Sequence, residues 1–499
     1  MNVDSPLTYC RYWLIAILLS AAISASSNVR ASDWADLLTT PFADPLLARP
    51  PQLEQATVLP GDTQAASCAA DMHDHLDHGQ PLTLSVAVDL ALCHHPEVQG
   101  AWASIKIQAA QVGAARASYL PALNMGMSRS RQKIAYPQSH SSGNSDHTSD
   151  SRYLTLTWRL LDFGTRGANR RAADASLEAA LASHDAVLQK ILAHVIGAYF
   201  DAQTAKADHD AKEKSETLAQ HTWETARKRE ARGAGARTDT LQARTAHAKA
   251  ELESSRAVGR YRKSLSVLVT ALGFPVQSPA AQRLILAPDY VDAKSALRHD
   301  LSAWLTLAQD RHPALLAMRA QLASARENLT AARAEGLPTL DFTGSRYVNG
   351  RPGQSASSVH SKESVVGLAL NIPLFDGFAS TYKVRAAQAR IEKKKTEVRE
   401  TENQILSEIA KAHADAVAAL RNLDTSKKLI EAAQDALETV RRKYDRGIAD
   451  ILDMLNVQLA LADAQQERIR SLSEWRSARL QLLANTGVIG RNDVRAPQQ

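Results

Sequence analysis

The sequence predicts a mainly α-helical, internally duplicated protein with four short β-segments of the kind that enter a membrane barrel. Three observations carry that expectation. Landmark residues recur at constant offsets, two proline-free stretches can hold very long helices, and the hydrophobic period drops four times from helical spacing to two.

The duplication comes first. His95-Pro96 returns as His312-Pro313 and Leu120-Pro121 as Leu337-Pro338, both 217 residues on (312 − 95, 337 − 120). Further along, Asp162 matches Asp376, Arg232-Gly233 matches Arg446-Gly447, Asp239 matches Asp453 and Gly273 matches Gly487, each 214 residues on (376 − 162). One unit of about 215 residues, repeated with a change only in the strand region, accounts for both offsets. The resulting map is a signal peptide (1–31), an N-terminal periplasmic extension (32–81), a first repeat (82–274) with strands near 122–130 and 152–161, an inter-repeat linker or equatorial region (275–297), a second repeat (298–490) with strands near 339–347 and 365–374, and a C-terminal tail (491–499).

Helices follow from the proline positions. A proline inside a helix costs about 3 kcal/mol, and none occurs from Gln138 to Phe274 or from Leu374 to Ala496. A helix from Arg166 to Arg232 would be a rod of roughly 100 Å at 1.5 Å per residue. Leu423, Ile430, Leu437 and Tyr444 recur every seven residues, as do Ile391, Val398 and Ile405, the period of a coiled coil. Alanines between them allow close helix approach, while Glu, Lys and Arg occupy the other faces.

The strands interrupt this pattern in each repeat. Leu123, Met125 and Met127 alternate with Asn124, Gly126 and Ser128; Leu154, Leu156, Trp158 and Leu160 alternate with Tyr153, Thr155, Thr157 and Arg159. In the second repeat Leu340 and Phe342, then Val366, Leu368, Leu370, Ile372 and Leu374, alternate with small or polar residues. An apolar outside and a polar inside over about ten residues is what an outer-membrane barrel strand requires. Connections near Ser130–Ser151 and Tyr347–Ser364, rich in Ser, Gly and His, are expected to face solvent outside the cell. Four strands cannot close a pore, and open edges in lipid leave backbone groups unsatisfied at several kcal/mol each, so copies must pool strands. Eight strands from a dimer would close, but a wide passage favours three chains and twelve strands.

The N-terminus is expected to be secretory: Arg11 precedes the apolar run Trp13–Leu19, and small residues lead to cleavage after Ala25 or Ala31. No cysteine follows that run at a cleavage site, so lipid acylation is not expected. Cys68 and Cys93 remain in an oxidising compartment, where a disulfide and a free buried thiol are both open. The net charge of +6 is spread over helices among acids, which argues against a nucleic-acid partner. The stretch His73-Asp74-His75-Leu76-Asp77-His78 has metal-binding residue types but lies in a Pro-rich extension and reads as a polar tail. No phosphate loop, nucleophile elbow or zinc motif stands in a fitting context, so neither an enzyme nor a cofactor is expected.

Taken with the duplicated plan, His95-Pro96 and His312-Pro313, the segment Leu337-Pro338-Thr339-Leu340-Asp341, the turns at Asp162 and Asp376, and the Gly-x5-Asp tips, the chain resembles the outer membrane efflux protein (TolC) family over about Leu82 to Gly490. The resemblance implies a homotrimer with a twelve-stranded barrel in outer-membrane lipid, a coiled-coil tunnel through the periplasm, a periplasmic adaptor (membrane fusion) protein and an inner-membrane ABC transporter. It also places the periplasmic gate at Thr238, Asp239, Tyr444, Asp453 and Asn456, and adaptor-docking tips at Arg232, Gly233, Arg446 and Gly447. Asp453 would supply the ring carboxylate; Asn456 stands where a second acid is often found, and Ala449 where a basic latch residue can occur. Spacing alone reads Asp239 with Gln242 and Asp453 with Asn456 as helix N-cap pairs. The function implied is export, with type I secretion of a repeats-in-toxin protein, adenylate cyclase-haemolysins included, ahead of multidrug or metal efflux; a soluble periplasmic coiled-coil scaffold is the alternative of another class.

Overall fold

The computed structural model describes residues 81–134, 145–277, 284–287, 300–351 and 361–489. The signal peptide, nearly all of the 32–81 extension with its His73–His78 stretch and Cys68, and the C-terminal tail lie outside the described residues. Eight helices and four strands are described: α1 Leu84–His94, α2 Pro96–Ala117, β1 Ala122–Ile134, β2 Ser145–Leu161, α3 Thr165–Ala231, α4 Arg237–Ala271, α5 Leu301–Arg311, α6 Pro313–Ala334, β3 Thr339–Val348, β4 Lys362–Asn371, α7 Ala379–Asp445 and α8 Ile451–Asn485.

The duplication extends to helix length. The helices of the first repeat run 11, 22, 67 and 35 residues, and those of the second run 11, 22, 67 and 35. Equal helices with unequal strands show where the repeats diverged. β1 and β2 run 13 and 17 residues, β3 and β4 only 10 each. The first hairpin therefore stays paired past its apolar alternation, out to Ile134 opposite Ser145. β4 stops at Asn371, before the Ile372–Leu374 segment, because Pro373 has no N–H to donate to a ladder.

The chain forms two compact units. One comprises Lys106–Leu177 and Glu327–Ala387; the other comprises the described residues up to Ile105, Glu178–Arg326, and those from Gln388 onward. In the first unit the four strands make one antiparallel sheet in the order β1-β2-β3-β4. Its apolar face holds Leu123, Met125, Met127, Leu154, Trp158, Val366, Leu368 and Leu370, all exposed. At 62–71% accessible, Leu123, Met125, Met127, Val366, Leu368 and Leu370 contradict a sheet packed on this chain's own helices. The opposite face is polar. Ser128 and Ser151 share a hydrogen bond of 2.7 Å, and Arg159 makes a two-pronged pair with Asp341 at 2.8 and 3.2 Å. Gly126 is needed there, since a Cβ would lie 2.3 Å from the Tyr153 ring.

The turns that return the chain from sheet to helix are alike in both repeats. Two successive residues are left-handed, Phe163 and Gly164 in one repeat (φ 50° and 103°), Gly377 and Phe378 in the other (φ 65° and 68°). The strain in each Phe, about 1–2 kcal/mol, is offset by the aspartate before it. Asp162 accepts from the Gly164 and Arg166 backbone N–H at 3.3 and 2.8 Å and from the Arg166 side chain at 3.0 Å; Asp376 accepts from the Ser380 N–H at 2.8 Å. Burial raises the Asp162 carboxyl, but these donors outweigh it and the net shift is downward.

The second unit holds the hydrophobic cores. In the first repeat Leu92 of α1, Leu188, Ile191, Leu192 and Ile196 of α3 and Leu268 and Leu272 at the end of α4 are almost fully buried together. In the second, Trp304, Ile405, Ile409, Leu423, Trp475 and Leu482 make the matching cluster. The heptad residues lie where the period predicts: Leu423 in that cluster, Ile430 and Leu437 against Leu461 and Ala464, and Tyr444 against Ile451 and Met454. Leu82 and Leu286 form a parallel bridge, with Leu82 N donating to Ile285 O at 2.7 Å and Ala287 N to Leu82 O at 3.0 Å, which ties the start of the described chain to the inter-repeat segment.

Candidate functional site at the helical tips

The tips are two hairpins, α3–α4 and α7–α8, each closed by a left-handed glycine. Gly233 (φ 72°) donates to Glu230 O at 2.9 Å while Ala234 donates to Arg229 O at 2.9 Å; Gly447 (φ 74°) donates to Tyr444 O at 3.0 Å while Ile448 donates to Lys443 O at 2.9 Å. This double bond pattern closes a helix C-terminus, and a side chain at either glycine would be strained. Arg232, Gly233, Arg446 and Gly447 are all exposed at these turns.

The capping expectation needs correction. The N-cap of α8 is Asp450, whose Oδ1 accepts from the Asp453 backbone N–H at 2.8 Å; Asp453 is therefore the third helical residue, with its carboxylate left free of cap duty. In the first repeat the N-cap is Ala236, which has no capping side chain, and Asp239 lies in the first turn. Each N-cap lies three residues before the aspartate that spacing selected, because the glycine turn is short. A carboxylate in the first turn still gains from the helix dipole, by about 0.3–1 kcal/mol.

Freed from capping, Asp453 and Asn456 are exposed one turn apart on α8. Asp239 is half-buried, and Thr238 Oγ1 donates to Asp239 Oδ1 at a long 3.5 Å. Tyr444 is buried, 7% accessible, among Ile451, Met454, Leu437 and Val440. The structure thus separates the proposed gate residues into an exposed pair on α8 and a buried tyrosine with Asp239 close enough to act on it.

Arg229 joins that second group, and the sequence had not singled it out. Its guanidinium lies 4.3 Å from the centre of the Tyr444 ring and its Nη2 donates to the Tyr444 carbonyl at 3.1 Å. Burial pushes the Tyr444 hydroxyl up, Arg229 opposes that, and the Asp239 carboxylate adds to it. Stacking on a ring this buried is worth about 0.5–2 kcal/mol. The only local signal was a basic residue in the last turn of α3.

Above the tips runs a groove of about 630 Å³ between α3, α4 and α8, lined by Leu218, Leu241, Leu452, Leu455 and Leu459 with Lys214 and Lys249 at its side. Leu241, Leu452 and Leu459 are each about half exposed. Elsewhere in this unit Cys93, nearly buried on α1, is disulfide-bonded, while its expected partner Cys68 is not among the described residues.

Comparison with known proteins agrees with this architecture. The family model described as "Outer membrane efflux protein" matches residues 87–274 and 304–488, one match per repeat. Protein CyaE of Bordetella pertussis is 33% identical over 481 residues, 96% of either chain. The alkaline protease secretion protein AprF of Pseudomonas aeruginosa is 23% identical, covering 81% of this chain and 84% of its own. The crystal structure of the Campylobacter jejuni CmeC outer membrane channel superposes with a TM-score of 0.70 at 18% identity, covering 82% of this chain and 86% of that one. The strands accordingly belong to the outer membrane and the helices to the periplasm, and the chain belongs to the outer membrane efflux protein family of export channels.

Proposed function

We propose that the chain is one third of a homotrimeric exit duct for type I protein secretion, completed by a periplasmic adaptor and an inner-membrane ABC transporter. The observation that carries the assembly is the sheet order β1-β2-β3-β4, in which β1 and β4 each leave one edge without a strand partner among the described residues. Those edges lie beside an exposed apolar face, so in lipid only strands of further copies satisfy them, and three copies give twelve strands. The gate is assigned to Asp453, Asn456, Tyr444, Thr238 and Asp239, and adaptor docking to Arg232, Gly233, Arg446 and Gly447, extended along the leucine-lined groove.

Protein cargo is preferred because the 33% identity to CyaE spans 96% of both chains and AprF is named for protease secretion. A repeats-in-toxin protein, including the adenylate cyclase-haemolysin kind, is the cargo class assigned. Deleting the gene and assaying both the secreted proteome and drug susceptibility tests this. Loss of a large secreted protein supports the assignment; intact secretion with drug or metal hypersensitivity transfers the duct to small-molecule efflux.

A further inference from the structure

The sheet treats its charges differently on its two faces. On the polar face Arg159 is held by Asp341, and just past β3 Arg351 is held by Glu363. On the apolar face the alternation of side chains places Arg129 of β1, Arg152 of β2, Arg346 of β3 and Lys362 of β4, all exposed. Arg129 faces Asp150 at 3.5 Å. Among the described residues Arg152, Arg346 and Lys362 make no ion pair.

The register brings these cations together. Met127 pairs with Arg152, Arg152 with Val348, and Val348 with Lys362, so one row across the sheet reads Met, Arg, Val, Lys. The next row toward the helices reads Met125, Leu154, Arg346, Ser364, and below it lie Leu123, Leu156, Gly344 and Val366. With strands about 4.8 Å apart and same-face rows about 6.8 Å apart, Arg346 lies roughly 8 Å from Arg152 and from Lys362. No acid stands in either row. Above them the register sets Arg129 opposite Asp150.

The orientation fixes what meets this border. β1 follows α2 and β2 leads into α3, so the helices join the sheet at the Leu160 and Leu340 end, and the cations lie toward the hairpin connections. With the helices in the periplasm, that border is the outer leaflet of the outer membrane. Like charges at this spacing and depth repel unless an anion bridges them, and planar guanidinium groups match phosphate oxygens.

We infer that Arg152, Arg346 and Lys362, flanked by Arg129, form a binding site for the phosphorylated headgroup of an outer-leaflet lipid whose acyl chains lie on the leucine and methionine band beneath. The site depends on membrane location and orientation only, so it stands or falls separately from the nature of the cargo. In native mass spectrometry of the detergent-solubilised full-length oligomer, bisphosphorylated lipid A is expected to bind at least tenfold tighter than dephosphorylated lipid A or phosphatidylcholine. The combined substitution Arg152→Gln, Arg346→Gln, Lys362→Gln is expected to abolish that preference, and the Arg152→Lys, Arg346→Lys pair to retain most of it. Equal affinity of the unsubstituted protein for phosphorylated and dephosphorylated lipid A overturns the proposal, and that comparison needs no variant to fold. A preference that survives the triple substitution overturns it as well.

Discussion

Arg229, near the end of the first long helix, stacks on Tyr444, near the end of the second, and also bonds its carbonyl at 3.1 Å. The two residues are 215 apart in sequence, one from each repeat, and they tie the two tip hairpins of a single chain together. Ala449 offers no cation where a basic latch residue can occur, and Arg229 supplies one from the other hairpin.

If this contact helps hold the duct shut, Arg229→Ala, which loses both the hydrogen bond to the Tyr444 carbonyl and the stack, should raise open-channel occupancy in planar bilayers by roughly tenfold, and Tyr444→Ala, which loses only the stacked ring, should raise it by less. Arg229→Lys keeps the charge but not the planar stack and should fall between. Conductance and occupancy equal to the parent in both alanine variants would remove the contact from the gate.

Asp453 is exposed and not engaged as a cap, so three copies around an axis would present three carboxylates to passing ions. Asp453→Ala should weaken block by divalent cations, and Asn456→Asp, one turn away, should strengthen it. Block that responds to neither change rejects the assignment of the constriction to this face.

His95 and His312 occupy equivalent positions between the paired short helices of each repeat. Each uses Nδ1 to accept a backbone N–H, from Glu97 and from Ala314, both at 3.2 Å. Burial lowers both imidazole pKa values, against opposing carboxylates, Glu97 for His95 and Glu408 for His312. The folded state therefore binds a proton less readily than the unfolded chain. Stability is full above the unfolded value near 6.5 and falls as pH drops from there toward the lowered folded value. Thermal melts between pH 7.5 and pH 5 should show this acid loss, and His312→Asn, which keeps an acceptor without a titrating group, should reduce it. A parent melting temperature flat across that range contradicts the sign.

Cys93 is disulfide-bonded, and Cys68 is the remaining cysteine after the expected signal peptide. Peptide mapping without reduction should recover the Cys68–Cys93 cross-link. Closing a loop of this size is worth about 3 kcal/mol, so reduction should lower the melting temperature by a few degrees. Recovery of both peptides as free thiols would return Cys93 to the reading of a buried thiol.

What the sequence determined by itself was everything that local periodicity and covalent geometry control. Proline spacing left room for the two long helices, the first expected over Arg166–Arg232 and found at Thr165–Ala231, heptads picked Leu423, Ile430, Leu437 and Tyr444 as packed, and alternation found the four strands and their apolar face. Those signals survive because each depends on neighbours within one or two turns. The cap of α8 was misplaced because Asp450 and Asp453 are both acceptable in composition, and only the backbone decides which side chain reaches a free N–H. Arg229 on Tyr444, and Arg152 beside Arg346 and Lys362, were decided by tertiary structure alone: register and helix pairing join residues from different repeats, and no pattern along one segment encodes which distant segment will lie beside it.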